Sequence, residues 1–158
     1  MRPDFDIQIV SRRPGIPAPA RLLRWLASAL PSTAAGALRV VNTAEARRLN
    51  RDFRKRDCAT NVLTFTYGHD PVGADIILCA QVVAREARDQ GKPLDAHYAH
   101  LTVHGALHAI GLDHRTRREA AVMEAREIEI LGTLGFANPY VEPAALSARS
   151  RRAGAVAA

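Results

Sequence analysis

Apolar and polar residues alternate near the start of the chain in the pattern of a half-buried β-strand. Phe5, Ile7 and Ile9 fall on one side of residues 4–10, with polar residues between them. Three later segments, residues 38–41, 62–67 and 74–78, are apolar, with many β-branched or aromatic residues, and predict three more strands. A turn over residues 68–73 is expected to join the last two strands.

Apolar residues three or four positions apart predict five helices, around residues 22–30, 45–53, 80–90, 95–110 and 116–134. Their expected capping residues are Asn42 paired with Glu45, then Asp95, then the Thr116-Arg117-Arg118-Glu119 capping box. The apolar helix around Trp25 is expected to belong to the core rather than to a partner surface. These elements predict an α+β fold in which a small mixed sheet of about four strands packs with about five helices.

The composition is that of a soluble globular protein. Of 158 residues, 47% are hydrophobic and 24% charged, which favours one domain over residues 1–142. Residues 143–158 are mainly Ala, Arg and Ser, and we expect them to be disordered. The isolated Cys58 and Cys79 argue against a disulfide framework or a zinc ribbon. No apolar run approaches the roughly 20 residues of a membrane span, so a cytoplasmic protein is expected.

The formal charge of +6 suggests a polyanionic partner, although it also fits a protein that is merely basic. Candidate chemistry is concentrated in three histidines spaced His-x3-His-x5-His. His104 and His108 would lie on one face of a helix, one turn apart. His114 could join them only if the helix ends, which Gly111 permits because glycine tolerates the left-handed conformation. The spacing predicts a three-histidine metal site with an open position, at the end of a central helix.

The other histidines are expected to have different roles. Since the helix face that carries His97 and His100 extends over about 16 Å, four histidines cannot share one ion. We expect His97 and His100 to be structural. His69 lies in the predicted turn and is expected to be exposed.

The spacing invites comparison with metzincin proteases, in which a glutamate follows the first histidine and acts as the general base. Here that residue is Gly105, which argues against peptide hydrolysis. A zinc-bound water could still attack another electrophile, since three histidines can lower its pKa to about 7. Cleavage of a phosphodiester also needs a cation, and the basic loop beginning at Arg54 could supply it.

Three segments carry a resemblance to a known family: Leu-Asn-Arg-Asp-Phe-Arg at 49–54, Thr-Asn-Val-Leu-Thr-Phe at 60–65 and the histidine motif at 104–114. They resemble the signatures of the YbeY endoribonucleases. The resemblance continues through residues 90–94, Met123, Glu127 and the Pro-Tyr pair at 139–140, and so covers most of residues 5 to 140. The chain departs from the family at residues 54–57, where it reads Arg-Lys-Arg-Asp instead of Arg-Gly-Lys-Asp.

The resemblance implies a single-strand-specific, zinc-dependent endoribonuclease. It implies maturation of the 16S rRNA 3′ end, ribosome quality control, and partners in the small ribosomal subunit or its assembly factors, with no DNA or membrane. His104, His108 and His114 would bind one zinc ion, and Arg54 with a zinc-bound water would be catalytic. Asp75 and Asp113 would orient histidines or cap turns. The residues expected to contact RNA are Arg51, Arg54, Lys55 and Arg56.

Two other functions remain open on the sequence. The metzincin-like spacing allows another zinc hydrolase, acting on peptides or small molecules. A ribosome-assembly factor without enzymatic activity, in which the zinc is structural, is also possible. Three imidazoles would suit copper, nickel or iron as well as zinc.

Overall fold

The computed structural model describes residues 1–54 and 59–141. Within these residues the chain forms four strands and five helices, which confirms the predicted α+β class. In chain order they are β1 (Asp4–Ile9), α1 (Pro19–Ala29), β2 (Ala35–Val41), α2 (Thr43–Arg54), β3 (Val62–His69), β4 (Val72–Cys79), α3 (Ala80–Asp89), α4 (Leu94–Ala109) and α5 (Arg117–Thr133). The predicted tail, residues 143–158, lies outside the described residues.

The four strands form one mixed sheet in the order β1-β2-β4-β3. β1 pairs with β2, and β2 pairs with β4, both in parallel. Parallel neighbours need a long connection, which is α1 between β1 and β2, and α2 followed by β3 between β2 and β4. β3 and β4 form an antiparallel hairpin, which leaves β3 at an edge. The turn between them is shorter than predicted, since both strands continue into residues 68–73 and only Asp70 and Pro71 separate them.

Helix α4 is the central helix, packed against α1, α3, α5, β3 and β4. Apolar residues surround it on nearly all sides, as expected of a helix buried in a core. Trp25 of α1 is only 3% exposed, which confirms its place in the core. None of the helices in the described part of the chain combines the length and apolar character needed to cross a bilayer.

Of the predicted capping interactions, the one at Thr116 is confirmed. Its hydroxyl accepts a hydrogen bond of 3.1 Å from the backbone N–H of Glu119. The predicted caps at the other two helix starts are replaced by longer-range contacts. The side-chain oxygen of Asn42 accepts hydrogen bonds from Ser11 and Gln81.

The two acidic residues expected at these helix starts form ion pairs instead. Glu45 pairs with Arg39 at 2.6 Å, a partner six residues away that sequence spacing alone does not reveal. Asp95 lies in the first turn of α4 and pairs with Arg21, while Pro93 occupies the N-cap position. Asp95 therefore links α4 to α1 rather than capping its own helix.

Candidate metal centre

The C-terminal end of α4 brings the three predicted histidines together. The rings of His104 and His108 lie one helical turn apart, with centroids 4.7 Å from each other. Gly111 then takes a φ of +101° and turns the chain back. The ring of His114 comes to 5.5 Å from His104 and 5.0 Å from His108, and the three can each offer a nitrogen within 4.8 Å of the others.

Asp113 secures the returning segment through the backbone. Its carboxylate accepts a hydrogen bond of 2.7 Å from the N–H of His114 and forms an ion pair with Arg115, whose Nε lies 3.0 Å away. The hydrogen bond from the His114 N–H is the main reason that the pKa of Asp113 is lowered. Burial opposes this shift, and the charge of Arg115 adds to it. Because the imidazole Nδ1 of His114 is 3.9 Å from the carboxylate, Asp113 holds the main chain of His114 rather than its ring.

Asp75 does not lie near the histidines. Its neighbour Ile76 faces α4, since a Cβ added at Gly105 would meet Ile76 at 2.9 Å. Successive residues of a strand point to opposite faces, so Asp75 points to the other side of the sheet. There its carboxylate interacts with the hydroxyl of Tyr67. The structure corrects the expectation that Asp75 orients a histidine.

Glu127 of α5 orients His104 instead. The side chain of Glu127 is fully buried, and a carboxylate oxygen lies 2.6 Å from Nδ1 of His104. Its other oxygen accepts a hydrogen bond from the Tyr140 hydroxyl. Nε2 of His100 is 3.2 Å from that hydroxyl and 3.6 Å from the carboxylate. Glu127 thus connects α4, α5 and the segment after α5.

The charge of Glu127 is set by two opposing effects. Burial raises its pKa, but contacts with His100, His104 and Tyr140 together outweigh burial and lower the pKa to about 2. Glu127 is therefore an anion at neutral pH. Burial, followed by the Glu127 contact, raises the pKa of Tyr140 well above its ordinary value, so its hydroxyl remains a donor.

The remaining histidine of the row, His97, is hydrogen-bonded elsewhere. It is 3% exposed, and its Nε2 lies 2.9 Å from Glu86 of α3. His100 contacts Glu127 and Tyr140. With His104 and Glu127 it forms a second group of side chains that could hold a metal ion. Both residues are thus hydrogen-bonded, His97 to helix α3 and His100 to Tyr140 in the segment after α5.

His108 carries no charge at neutral pH. Burial, and then the proximity of His104 and His114, lower its pKa to about 4. A neutral imidazole is the form that binds a metal ion, since a protonated ring has no free lone pair.

Gly105 sits where α4 presses most closely on the sheet. A Cβ at this position would lie 2.9 Å from Ile76, 3.2 Å from Thr64 and 3.2 Å from Val62. The residue that follows the first histidine therefore faces the sheet, and a glutamate would not fit there without displacing β3 or β4. The lack of a protease-like general base has a packing reason.

An open cleft of about 750 Å³ runs between the histidines and the α2–β3 side of the domain. Arg54 lines this cleft together with the three histidines. It lies at the last residue of α2 rather than in a loop, and its guanidinium Nη2 donates a hydrogen bond of 2.5 Å to the carbonyl of Thr64. The structure thus places the three predicted metal ligands and the predicted phosphate-binding arginine around one cleft.

The other residues predicted to contact RNA are placed differently. Arg51 is on the exposed surface of α2, 3.4 Å from the carboxylate of Asp52, and does not line the cleft. Lys55 and Arg56 lie outside the described residues. Arg115, which was not predicted, lines the cleft beside His114.

Comparisons with known proteins show which family this chain resembles. A family model described as Endoribonuclease YbeY matches residues 26–135. The protein named Endoribonuclease YbeY of Methylibium petroleiphilum is 59% identical over 121 residues, covering 76% of this chain and 81% of its own. That of Cupriavidus necator is 52% identical over 146 residues, covering 87% and 74%.

A solved structure extends the likeness to the fold. The solution structure of a Thermotoga maritima protein matches with a TM-score of 0.53 and covers 85% of this chain and 99% of its own. Its sequence is 23% identical, so this likeness concerns the fold alone.

Proposed function

Because this chain belongs to the YbeY endoribonuclease family, we propose that it is a zinc-dependent endoribonuclease that cleaves single-stranded ribosomal RNA. Its proposed task is maturation of the 16S rRNA 3′ end and ribosome quality control, in the cytoplasm, on the small ribosomal subunit or with its assembly factors. The observation that carries this proposal is the shared cleft, which brings three histidines and Arg54 to one space.

The donor set fits a zinc ion. Since the Glu127 carboxylate can only accept, Nδ1 of His104 must donate, which leaves Nε2 free as a ligand atom. His108 is neutral, and His114 is held in place by Asp113. A zinc ion held by these three residues would supply a nucleophile at neutral pH, because such sites lower the pKa of bound water to about 7.

Arg54 is suited to hold the charge of a phosphate. A guanidinium has five N–H donors, and among the described residues the hydrogen bond to the carbonyl of Thr64 engages one of those of Arg54. The remaining donors can form the paired hydrogen bonds that arginine makes with phosphate oxygens. Stabilising the charge that develops during attack is the step at which such a group accelerates the reaction most.

The peptide hydrolase alternative is less well supported. The metzincin mechanism needs a carboxylate next to the first histidine, and the tight contact of Gly105 with β3 and β4 leaves no space for one. Arg54 would also have no evident role in peptide cleavage.

The proposal is tested by cleavage of a single-stranded RNA carrying the 16S rRNA 3′ end. We expect Arg54→Gln and His114→Ala each to lower the rate at least about 100-fold. Arg126→Gln, at an exposed arginine of α5, should cleave like the wild type. Elemental analysis of the wild type should find about one zinc per chain.

Equal cleavage by all the variants would reveal a contaminating nuclease and refute the proposal. If zinc is only structural, as in an assembly factor, His114→Ala would lower the Tm while Arg54→Gln would process rRNA normally in cells.

A further inference from the structure

An aromatic surface lies on the sheet face opposite α4, beside the cleft. It consists of Phe53, Phe65 and Tyr67. The hydroxyl of Thr64 points toward α4, where it bonds to Gly105, so Phe65 points to the opposite face. Phe53 of α2 packs edge-on against Phe65 with ring centroids 5.4 Å apart. Despite this contact, Phe53 is 65% exposed and Tyr67 is 67% exposed.

The ring of Tyr67 packs against the sheet and is otherwise open to solvent. Tyr67 stands where the pairing of β3 with β4 shifts register, between Thr66 and Gly68. Its ring lies directly against Gly73 of β4, where an added Cβ would come within 2.6 Å of Cε2. The sheet thus supports the ring, and its high exposure leaves it accessible to a partner.

Arg54 connects this surface to the cleft. Its guanidinium carbon lies 5.6 Å from the centre of the Phe65 ring, while the same residue lines the cleft with the histidines. A positive group suited to phosphate therefore stands between the histidines and the exposed rings. Alternating cations and aromatic rings are typical of surfaces that follow a single nucleic-acid strand.

We propose that the aromatic surface binds unpaired bases of the RNA strand whose phosphate is held at Arg54, and so selects single-stranded RNA. This inference rests on the proposed function. Every base has a flat π-face that can stack on Tyr or Phe, and stacking tolerates any sequence. The bases of a duplex are stacked on one another and cannot reach these rings.

The test is binding of a short fluorescent single-stranded RNA, measured by anisotropy with EDTA present so that no cleavage occurs. Tyr67→Leu should weaken binding about tenfold, since the ring is lost while an apolar side chain remains. Phe53→Leu, on a different element, should weaken it similarly. Tyr67→Phe should bind like the wild type, and Val122→Ala, at an exposed apolar residue of α5, serves as the matched control.

A second probe separates stacking from attraction of phosphates. An oligonucleotide of the same length with abasic residues keeps the phosphates, so Tyr67→Leu and wild type should bind it equally. Equal affinity of both leucine variants and wild type for the intact RNA would overturn the proposal. A second outcome would also overturn it: a folded Tyr67→Leu variant that keeps its affinity for RNA but no longer binds a protein of the small ribosomal subunit. The aromatic surface would then bind protein rather than RNA bases.

The result is distinguishable from failure of the proposed function. The binding assay needs neither zinc nor cleavage, so base stacking can be found even if Arg54→Gln proves fully active. Conversely, the protein could cleave RNA while both leucine variants bind RNA with unchanged affinity. The proposed function would then stand, and the proposed role of the aromatic surface would be refuted.

Discussion

The hydroxyl of Thr64 donates a hydrogen bond of 3.1 Å to the backbone carbonyl of Gly105, and this bond ties the edge strand β3 to the helix that carries the histidines. The carbonyl of the same Thr64 accepts the hydrogen bond from Arg54. One buried residue therefore contacts both walls of the cleft. The spacing between the proposed zinc ligands and the proposed phosphate-binding arginine depends on it.

Replacing Thr64 by valine tests this connection. Thr64→Val keeps the β-branched shape and removes only the hydroxyl, so we expect a loss of about 1 kcal/mol in the free energy of unfolding. Urea denaturation measures this loss. Thr66→Val, two residues along on an exposed position, should change stability by less than about 0.5 kcal/mol. Equal stability of the two variants would show that the bond contributes nothing.

Gly105 is expected to tolerate no side chain. Gly105→Ala places a methyl group 2.9 Å from Ile76, a β-branched residue with little rotamer freedom, and should destabilise the fold by about 1–3 kcal/mol. Gly132→Ala in α5 is the matched control, because a Cβ there meets nothing within 4 Å. That change should stabilise the helix by about 0.5–1 kcal/mol. Thermal unfolding measures the Tm of both variants. If Gly105→Ala and Gly132→Ala shifted the Tm alike, the packing argument would be contradicted.

Glu127 is expected to strengthen metal binding through His104. Glu127→Gln keeps the size of the side chain but removes the charge that His104 faces, and zinc affinity should fall about 10- to 100-fold. Competition with a chelator measures this affinity without relying on activity. Glu129→Gln, on the exposed side of the same helix, should bind zinc like the wild type. Unchanged affinity in Glu127→Gln would limit Glu127 to a structural role.

His97 is expected to make stability depend on pH. Burial lowers its pKa in the folded chain, although Glu86 opposes the shift. Since the unfolded chain then binds the proton more tightly, stability should decrease as the pH falls below about 6.5. His97→Gln does not titrate and can still donate to Glu86, so its stability should fall less between pH 7.5 and pH 5. Parallel pH curves for the two proteins would contradict this role.

The cluster of His104, His108 and His114 could be predicted because its geometry is local. His104 and His108 share a helix face by spacing alone, and Gly111 marks the turn that returns His114. The same is true of the cap at Thr116, whose partner is three residues away. Local spacing also predicted the class of most elements, although β2 begins three residues before the predicted strand.

Glu127 was missed as a site residue because its partner lies 23 residues away on another helix. A signal was present, since Glu127 interrupts the apolar row formed by Met123, Ile130 and Leu131. An acid on the buried face of a helix needs a buried partner. The half-exposed Tyr140 stood out only as part of the Pro-Tyr pair in the family resemblance, and not through its place in an apolar pattern.

Asp75 was misplaced for a different reason. Its strand was correctly predicted, but alternation along a strand does not say which face meets which helix. That choice depends on packing, here the contact of Ile76 with α4. For Arg54, a polar sequence suggested a loop, whereas α2 continues through it.

The central position of α4 makes the two walls of the cleft unequal in how they can evolve. One wall is part of the core, because α4 is packed by three helices and two strands, and a change there disturbs the whole domain. The opposite wall is built from the end of α2 and an edge strand with a free side. Divergence in RNA preference among related chains should therefore accumulate on the α2–β3 side, while the histidine side stays fixed.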